Sequence, residues 1–266
     1  MDLELSSKTA LVTGGSRGIG KAIAKRLVAE GAAVALIARD EASLASAAED
    51  VREAGGATVI ALTGDTGSDA SVREFVTEAV RQLGGLDIVV NAAATPASPG
   101  GAPRLEKIDE DVLWPEINVK VLGYIRVIRE AVPHMRARGG GRVINISGLA
   151  ARATGSTVGS IRNIAVAAMT KTLADELAGD RISVVAVHPA LTVTERMPVV
   201  LEAAARRLGV STQEAETRLA EDVLLGRLVS AEEVASVVAF LASPKAVAIN
   251  GDAIPVGGGV RGPIYY

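Results

Sequence analysis

Cysteine is absent from this chain of 266 residues, which excludes disulfide bridges, thiol nucleophiles and cysteine-ligated metals. The two histidines, His134 and His188, do not stand in a cluster with the spacing of metal ligands, so we expect no metal site. Aromatic residues make up 2% of the chain, which disfavours a pocket built for aromatic stacking. A small or aliphatic ligand is therefore the better expectation.

Long apolar runs and basic blocks are absent as well. No run has the length of a membrane-spanning helix and residues 1–4 do not begin a signal sequence, so we expect a cytoplasmic protein without a membrane partner. A net charge of -3 without a basic block argues against nucleic acid as a partner. A hydrophobic share of 48% and a charged share of 22% are typical of one α/β domain over residues 1–266.

The most informative stretch runs from Lys8 to Glu30. An apolar run over 9–13 meets a glycine-rich turn, and a helical pattern follows it; the turn reads Gly14-Gly15-Ser16-Arg17-Gly18-Ile19-Gly20. A strand, such a turn and a helix in this order leave unpaired backbone N–H groups beside the positive end of the helix. The pattern predicts a site for the diphosphate of a nucleotide.

Apolar runs and helical patterns alternate along the rest of the chain. The predicted strands are 8–13, 33–38, 57–63, 86–90, 141–147, 181–187 and 253–256. The predicted helices are 18–30, 41–54, 69–83, 105–137, 157–178 and 231–242. This alternation is typical of right-handed βαβ units. We predict an α/β fold: a single Rossmann-type, doubly wound parallel sheet of about seven strands with helices on both faces.

Two segments interrupt this alternation. Residues 94–103 are rich in Pro, Gly and Ala and are predicted to form a loop after the fourth strand. Residues 195–222 carry an amphipathic helical pattern, inserted after the sixth strand. A packed pair of surface helices and a lid over a substrate would both produce this pattern. We favour the lid, because ligands of open parallel sheets bind beyond the carboxyl ends of the strands.

Short motifs recur at the ends of the predicted strands. They are Thr13-Gly14 with Gly18 and Gly20, Asn91-Ala92-Ala93-Ala94, Pro189-Ala190 with Thr194, and Val256-Gly257-Gly258-Gly259. In these motifs, and over nearly its whole length, the chain resembles the short-chain dehydrogenase/reductase family. The resemblance implies a dinucleotide cofactor, a small-molecule substrate and a homotetramer.

The resemblance also implies where the cofactor binds. Asp65 falls where the family holds the adenine, and Ala38 stands where NAD-preferring members carry an acidic side chain. Arg17 and Arg39 lie near that place, so we predict NADP, with NAD still possible and with solvated arginines as the alternative. The predicted cofactor-binding residues are Gly14, Ser16, Arg17, Gly18, Ile19, Gly20, Arg39, Asp65, Thr66, Asn91, Ala93, Pro189 and Thr194.

The family's catalytic pattern is broken in this chain. In that family a Tyr of Tyr-x-x-x-Lys donates a proton, while the Lys lowers the Tyr pKa and binds the nicotinamide ribose. Alignment on residues 170–174 places Gly159 at the Tyr position and Asn163 at the Lys position, and no Tyr stands between Tyr124 and Tyr265. We therefore predict an atypical member that lacks this pair.

Other polar groups stand near the missing side chains. The usual serine position reads as Gly148 with Ser147 beside it, and Asn118 matches the Asn that kinks the fourth helix and holds a water. The predicted catalytic residues are Asn118, Ser147 and Asn163. Lys120 lies on a different helix face from Asn118, with a solvated role and a ribose-side role both open.

Further polar groups could bind a substrate oxygen. Ser160 and Arg162 are near enough in sequence, and Tyr265 and Tyr266 either fold back over a site or serve as interface or disordered residues. The apolar positions 161, 164, 168 and 173 would suit a tetramer interface or the interior of the subunit.

We expect an NAD(P)(H)-dependent oxidoreductase that acts on a small or aliphatic alcohol or carbonyl compound through a non-standard proton donor. The alternatives are a nucleotide-binding regulatory or assembly protein without redox activity, motivated by Gly159 and Asn163, and a non-redox lyase or hydratase. The first is favoured by analogy, because the family keeps its cofactor for redox chemistry.

Overall fold

The predicted parallel sheet is present in the computed structural model, which describes residues 1–95 and 101–259. Seven strands form it in the order β3–β2–β1–β4–β5–β6–β9, and two short strands pair separately. The strands are β1 (Thr9–Thr13), β2 (Ala33–Ala38), β3 (Val59–Thr63), β4 (Ile88–Asn91), β5 (Gly141–Ile146), β6 (Ile182–Pro189), β7 (Thr192–Val193), β8 (Val229–Ser230) and β9 (Ala253–Val256).

Helices cover both faces of the sheet. They are α1 (Gly18–Ala29), α2 (Glu41–Arg52), α3 (Asp69–Leu83), α4 (Glu110–Glu116), α5 (Gly123–Ala137), α6 (Thr157–Glu176), α7 (Met197–Leu208), α8 (Thr212–Ala220) and α9 (Ala231–Ala242). On one face Leu27 of α1 and Val238 of α9 pack in a common core. On the other face Phe75 of α3, Val127 of α5 and Val143 of β5 do the same. The predicted fold class is confirmed.

The strand order places a switch point between β1 and β4. The chain runs outward from β1 through β2 to β3 and then returns to β4 on the other side of β1. Both central strands are buried along their whole length, as strands covered on two faces must be. A crevice opens where the direction reverses, at the carboxyl ends of the strands, and ligands of such sheets bind there.

The predicted helix over 105–137 is wrong as a single element. The structure has a 3₁₀ turn (Leu105–Lys107), α4, a π-helical turn (Ile117–Leu122) and then α5. Asp109 caps α4, since its side chain accepts the Val112 N–H at 3.0 Å and fixes a new helix start. Pro115 inside α4 has no N–H to complete the helical ladder. The other predicted elements agree with the structure to within two residues at each end.

The insertion over 195–222 forms α7 and α8, which pack on each other through a small apolar cluster that includes Ala204, Ala205 and Ala215. The pair β7–β8, which the sequence analysis did not predict, frames this insertion. Part of the predicted loop (96–100) lies outside the described residues, and so do Tyr265 and Tyr266, for which a place over a site and an interface or disordered role were both open.

The described residues contain neither a membrane-spanning helix nor a metal-binding group of side chains. None of their helices combines the length and the apolar character needed to cross a membrane. Nor do they contain a group of three or more His, Cys, Asp or Glu side chains placed to hold a metal ion.

Candidate active site

The glycine-rich turn joins β1 to α1 at the switch point. Gly14 has a φ of 67°, and a Cβ added to it would lie 2.8 Å from the carbonyl oxygen of Ala92. A Cβ at Gly20 would collide with the carbonyl oxygen of Gly14, so α1 approaches the turn closely because residue 20 has no side chain. Ser16 and Ile19 are half-buried, and Ile19 packs against the core. The predicted turn is therefore present, with glycine where the backbone requires it.

A carboxylate already marks the amino end of α1 as an anion site. Oε2 of Glu195 accepts the Gly18 N–H at 2.9 Å, and its Oε1 lies 3.1 Å from Nζ of Lys21. Burial raises the pKa of Glu195, but the hydrogen bonds to backbone N–H groups and Lys21 outweigh it and lower the pKa overall. The Gly18 N–H at this helix end thus donates to a negatively charged oxygen, which is what a pyrophosphate would present.

The end of β2 carries the predicted ribose-side residues. Arg17 and Arg39 are exposed, and Asp40 caps α2 by accepting the Ser43 N–H at 2.9 Å. Hydrogen bonds from Ser43 lower the pKa of Asp40, and the charge of Arg17 contributes to the same shift. Arg17 therefore reaches the end of β2, and the carboxylate nearby is already engaged in capping a helix.

The loop after β3 is tied to the π-helical turn. Asp65 accepts the Gly67 N–H at 2.9 Å, and the Thr66 hydroxyl donates to the Val119 carbonyl at 3.2 Å. The side-chain amide of Asn118 donates to the Gly67 carbonyl at 3.2 Å. The backbone carbonyl of Asn118 accepts a hydrogen bond from the Arg126 guanidinium at 3.1 Å. Asn118 therefore fixes this loop, and its predicted catalytic role stays a prediction.

The loop after β4 faces the glycine-rich turn. The Thr13 hydroxyl accepts the backbone N–H groups of Ala92 and Ala93, at 3.1 and 3.3 Å. The Asn91 amide donates to the Asn145 side chain on the neighbouring strand at 2.9 Å. Oδ1 of Asn91 is buried and has no partner among the described residues, so it is free to accept a donor at the floor of the crevice.

Thr194 closes the other side of the crevice. β6 ends at Pro189, and the Thr194 methyl lies 3.3 Å from the position that a Cβ at Gly18 would take. The segment that contains the predicted cofactor-binding residues Pro189 and Thr194 therefore meets the glycine-rich turn directly.

The three positions that the sequence aligns with the catalytic pattern lie at the junction of β5 and α6. Asn163 is buried, and its Nδ2 lies 3.1 Å from the position of a Cβ at Gly148. Ser147 is buried and its hydroxyl donates to the Asn163 carbonyl at 3.0 Å. Gly159 is buried in the first turn of α6, where its N–H donates to the capping Ser156. Gly148 and Ser147 therefore both lie against Asn163, and Gly159 lies one turn before Asn163 on α6.

The sequence comparisons agree with this geometry. Residues 14–261 match the family model described as Enoyl-(Acyl carrier protein) reductase. The short-chain reductase protein NovJ of Streptomyces niveus is 35% identical, over 94% of this chain and 92% of that protein. The NADPH-dependent reductase BacG of Bacillus subtilis is 32% identical, over 96% of this chain and 98% of that protein. The chain belongs to the short-chain dehydrogenase/reductase family.

A solved structure of the same family has nearly the same fold. L-sorbose reductase from Gluconobacter frateurii, complexed with NADPH and L-sorbose, superposes with a TM-score of 0.92 at 30% identity. The match covers 99% of this chain and 100% of that chain.

Lys120 is the residue of this short-chain dehydrogenase/reductase that sequence reasoning placed least well. It is buried, which excludes the solvated role, and its Nζ donates to the Ser147 carbonyl at 2.9 Å. Burial lowers the pKa of Lys120 to about 8. One turn later Tyr124 is fully buried and donates to the Ile146 carbonyl at 3.0 Å. The π-helical turn directs Lys120 inward, and a spacing rule for a regular helix does not predict that.

His188 is a second group that the sequence analysis did not assign to the site. Its Nδ1 accepts the Gly148 N–H at 3.3 Å, so the imidazole is neutral with its proton on Nε2. Burial, followed by the charges of Arg152 and Lys120, lowers the pKa of His188 to about 4. In the sequence, His188 is recognisable only as a residue at the buried end of a predicted parallel strand, and that position indicates a structural role.

Two predicted substrate-binding groups are engaged elsewhere. Arg162 forms an ion pair with Glu116 of α4, and the Ser160 hydroxyl donates to the Ala153 carbonyl at 3.2 Å. Ser160 lies on the side of α6 that borders an open cleft of about 940 Å³. The cleft is lined by residues 102–105 and 151–157 and by Ser160, Ile161 and Ile164. This cleft adjoins the first turn of α6, which contains Gly159.

Proposed function

We propose that this protein is an NADPH-dependent reductase of small or aliphatic carbonyl compounds that handles the proton at a non-standard site. The observation that carries the proposal is the anion-binding turn at Gly18 on the same sheet edge as Gly148 and Asn163. The family's catalytic pair is absent at 159 and 163, so its ordinary proton donor is not available. Localisation in the cytoplasm remains part of the proposal.

The cofactor is NADP(H). BacG is named an NADPH-dependent reductase, and the L-sorbose reductase structure contains NADPH. In this chain the glycine-rich turn at Gly14, Gly18 and Gly20 would hold the pyrophosphate. The 2′-phosphate would be bound by Arg17 and Arg39. NADPH, when bound, supplies the hydride.

The protein's own residues would do the rest of the work. Ser147, Asn163 and the Asn118 region would orient the substrate and the proton path, as predicted from the sequence. The Ser147 hydroxyl already donates to a backbone carbonyl, so it would accept a hydrogen bond rather than give its proton. The cleft beside α6 would receive the substrate, and its aliphatic lining at Ala102, Pro103 and Leu105 fits small or aliphatic compounds.

The insertion over 195–222 would act as the lid of this site. Its first residue, Glu195, is bonded to Gly18 and Lys21 at the turn. Binding of a pyrophosphate there requires Glu195 to move, which would couple α7 and α8 to the cofactor.

We also propose a homo-oligomer, a tetramer by family resemblance. Ile161, Ile164 and Ala168 of α6 are exposed, with Trp114 of α4, whereas Leu173 packs against the core. An exposed apolar face shared by two helices supports an interface between subunits.

The test is hydride transfer from NADPH deuterated at C4 to a panel of aldehydes, ketones and keto sugars, followed by mass spectrometry of the products. Deuterium in an alcohol product is expected. Tight NADPH binding without label transfer to any compound would count against a reductase.

A second function is favoured by one observation. The serine, tyrosine and lysine positions of the family are Gly148, Gly159 and Asn163, which would suit a nucleotide-binding regulatory or assembly protein. Label transfer by the wild-type protein would end this alternative. The comparisons give no separate support to a lyase or hydratase.

A further inference from the structure

Lys120 is a buried amine that the family's catalytic pattern does not contain. Its residue is 4% exposed, and no carboxylate forms an ion pair with it within residues 1–95 and 101–259. An ammonium ion removed from water without a counter-ion is costly, so such a lysine calls for an explanation. Functional sites are where uncompensated buried charges are most often retained.

The contacts of Lys120 place it at the broken catalytic positions. It donates to the carbonyl of the Ser147–Gly148 peptide at 2.9 Å, and His188 accepts the N–H of that same peptide at 3.3 Å. Asn163 lies beside Gly148 and Ser147. Nζ of Lys120 therefore bonds the peptide that leads into Gly148, the position aligned with the family's serine, and Asn163, aligned with the family's lysine, lies against that same peptide.

The helix turn that carries Lys120 is itself unusual. Residues Ile117–Leu122 form a π-helical turn, whose extra residue per turn rotates the following side chains relative to a regular helix. Such turns persist mainly at functional sites, because they are less stable than regular helix. Here the turn delivers an amine to the end of β5.

We propose that Lys120 provides, from the π-helical turn, the ionisable cation that α6 of this protein lacks. The proposal rests on the proposed function. Lys120 acts through the Ser147–Gly148 peptide as a positioning residue, and its charge favours both the anionic cofactor and the oxygen of a carbonyl substrate as hydride arrives. Reduction adds one hydride from NADPH to the carbonyl carbon and one proton from solvent to the oxygen, leaving NADP⁺ and the alcohol.

Several other charged groups surround Lys120. Those on the packed elements are Arg126 with Asp69, Arg162 with Glu116, Arg152 and Asp252. His188 is neutral in this range because burial lowers its pKa to about 4. Lys120, whose pKa burial lowers to about 8, is therefore the group expected to lose its charge as the pH rises through this range.

A purely structural role predicts something different. Tyr124 lies one turn away and bonds the preceding carbonyl, Ile146, so both side chains could serve only to hold α5 against β5. Loss of either would then reduce stability and leave the pH dependence of cofactor binding unchanged. Tyr124→Phe is thus a matched control for Lys120→Gln.

The experiment is calorimetric titration of NADPH at several pH values from 6.5 to 9.5, with wild-type protein, Lys120→Gln, Lys120→Arg and Tyr124→Phe. Wild type is expected to lose roughly tenfold in affinity over this range as the nearby charge disappears. Tyr124→Phe should follow wild type. Lys120→Gln should be weak and independent of pH, and Lys120→Arg strong and independent of pH, because its guanidinium stays charged.

An independent measurement keeps the proposal testable if Lys120→Gln does not fold. In the wild-type NMR spectrum one lysine ¹³Cε resonance, absent from Lys120→Arg, should titrate near pH 8 and shift to higher pKa with NADPH. The role of Lys120 would be overturned if NADPH did not raise the pKa of this resonance. It would also be overturned if NADPH affinity in Lys120→Gln depended on pH as it does in wild type. Wild type that binds NADPH with this profile but transfers no hydride would overturn only the proposed function, and absence of NADPH binding would overturn both.

Discussion

The end of the crevice at β1, here called the cofactor end, and the end at β5, here called the chemistry end, differ in how well they match the family's motifs. At the end of β1 every glycine that the turn needs is present, and the N–H groups there already hold a carboxylate. At the end of β5 the three positions that we align with the catalytic pattern carry Gly148, Gly159 and Asn163. Cofactor binding depends on backbone geometry, whereas the chemistry depends on particular side chains. The side chains at the end of β5 can therefore differ from the family's pattern while the turn at the end of β1 still binds a cofactor.

The largest expected effect concerns the cofactor end. Gly20→Ala adds a Cβ that collides with the Gly14 carbonyl oxygen, so either the turn or α1 must move. We expect NADPH affinity to fall by at least about 100-fold, since the pyrophosphate would lose its aligned N–H donors. Isothermal titration calorimetry measures the loss, and circular dichroism verifies the fold.

Gly56→Ala is the matched control for that change. Nothing lies within 4 Å of a Cβ added at Gly56, so binding should be unchanged. Wild-type affinity in Gly20→Ala would show that the contrast between the two ends is not a matter of backbone geometry.

The next effect tests the charge at the end of β2. Arg17→Ala with Arg39→Ala removes both guanidinium groups that we assign to the 2′-phosphate. NADPH should bind about 10- to 100-fold more weakly, the value of one or two charge-assisted hydrogen bonds. NADH should be unaffected. Arg73→Ala, an exposed arginine of α3, is the control. An equal loss for NADH would refute the assignment.

The sequence predicts the two ends unequally, for physical reasons. A glycine-rich turn has a recognisable pattern because steric limits leave few alternatives at Gly14 and Gly20. The inward direction of Lys120 depends on a π-helical turn, and the contact of His188 with Gly148 depends on packing between strands. Neither has a local signal. The break of the predicted helix at Asp109 and Pro115 did have one, in a capping side chain and a proline, and was missed.

His188 provides a test at the chemistry end that leaves the cofactor end alone. Because its folded pKa is lowered to about 4, the unfolded chain binds a proton near pH 6.5 while the folded protein does not. Stability should therefore fall as the pH drops from 7 to 5, by about 2 kcal/mol. Urea unfolding at the two pH values measures the difference.

His188→Asn is the variant for this test, because its Oδ1 can accept the Gly148 N–H without titrating. Its stability should change much less between pH 7 and 5. NADPH binding at pH 7.5 should differ little from wild type. A full wild-type pH dependence in His188→Asn would assign the effect to other groups.

The smallest expected effect lies at the contact between the insertion over 195–222 and the glycine-rich turn. Glu195 holds the Gly18 N–H and Lys21, so its carboxylate competes with the pyrophosphate for the same donors. Both side chains are partly exposed, and such a pair contributes only about 0.2–1 kcal/mol. Glu195→Gln should therefore strengthen NADPH binding about two- to fivefold, with less effect at high salt because screening weakens the original ion pair. Glu202→Gln removes an exposed charge from α7 and should change nothing. Weaker binding in Glu195→Gln would mean that the carboxylate assists cofactor binding instead of competing with it. The insertion over 195–222 would then couple the two ends of the crevice.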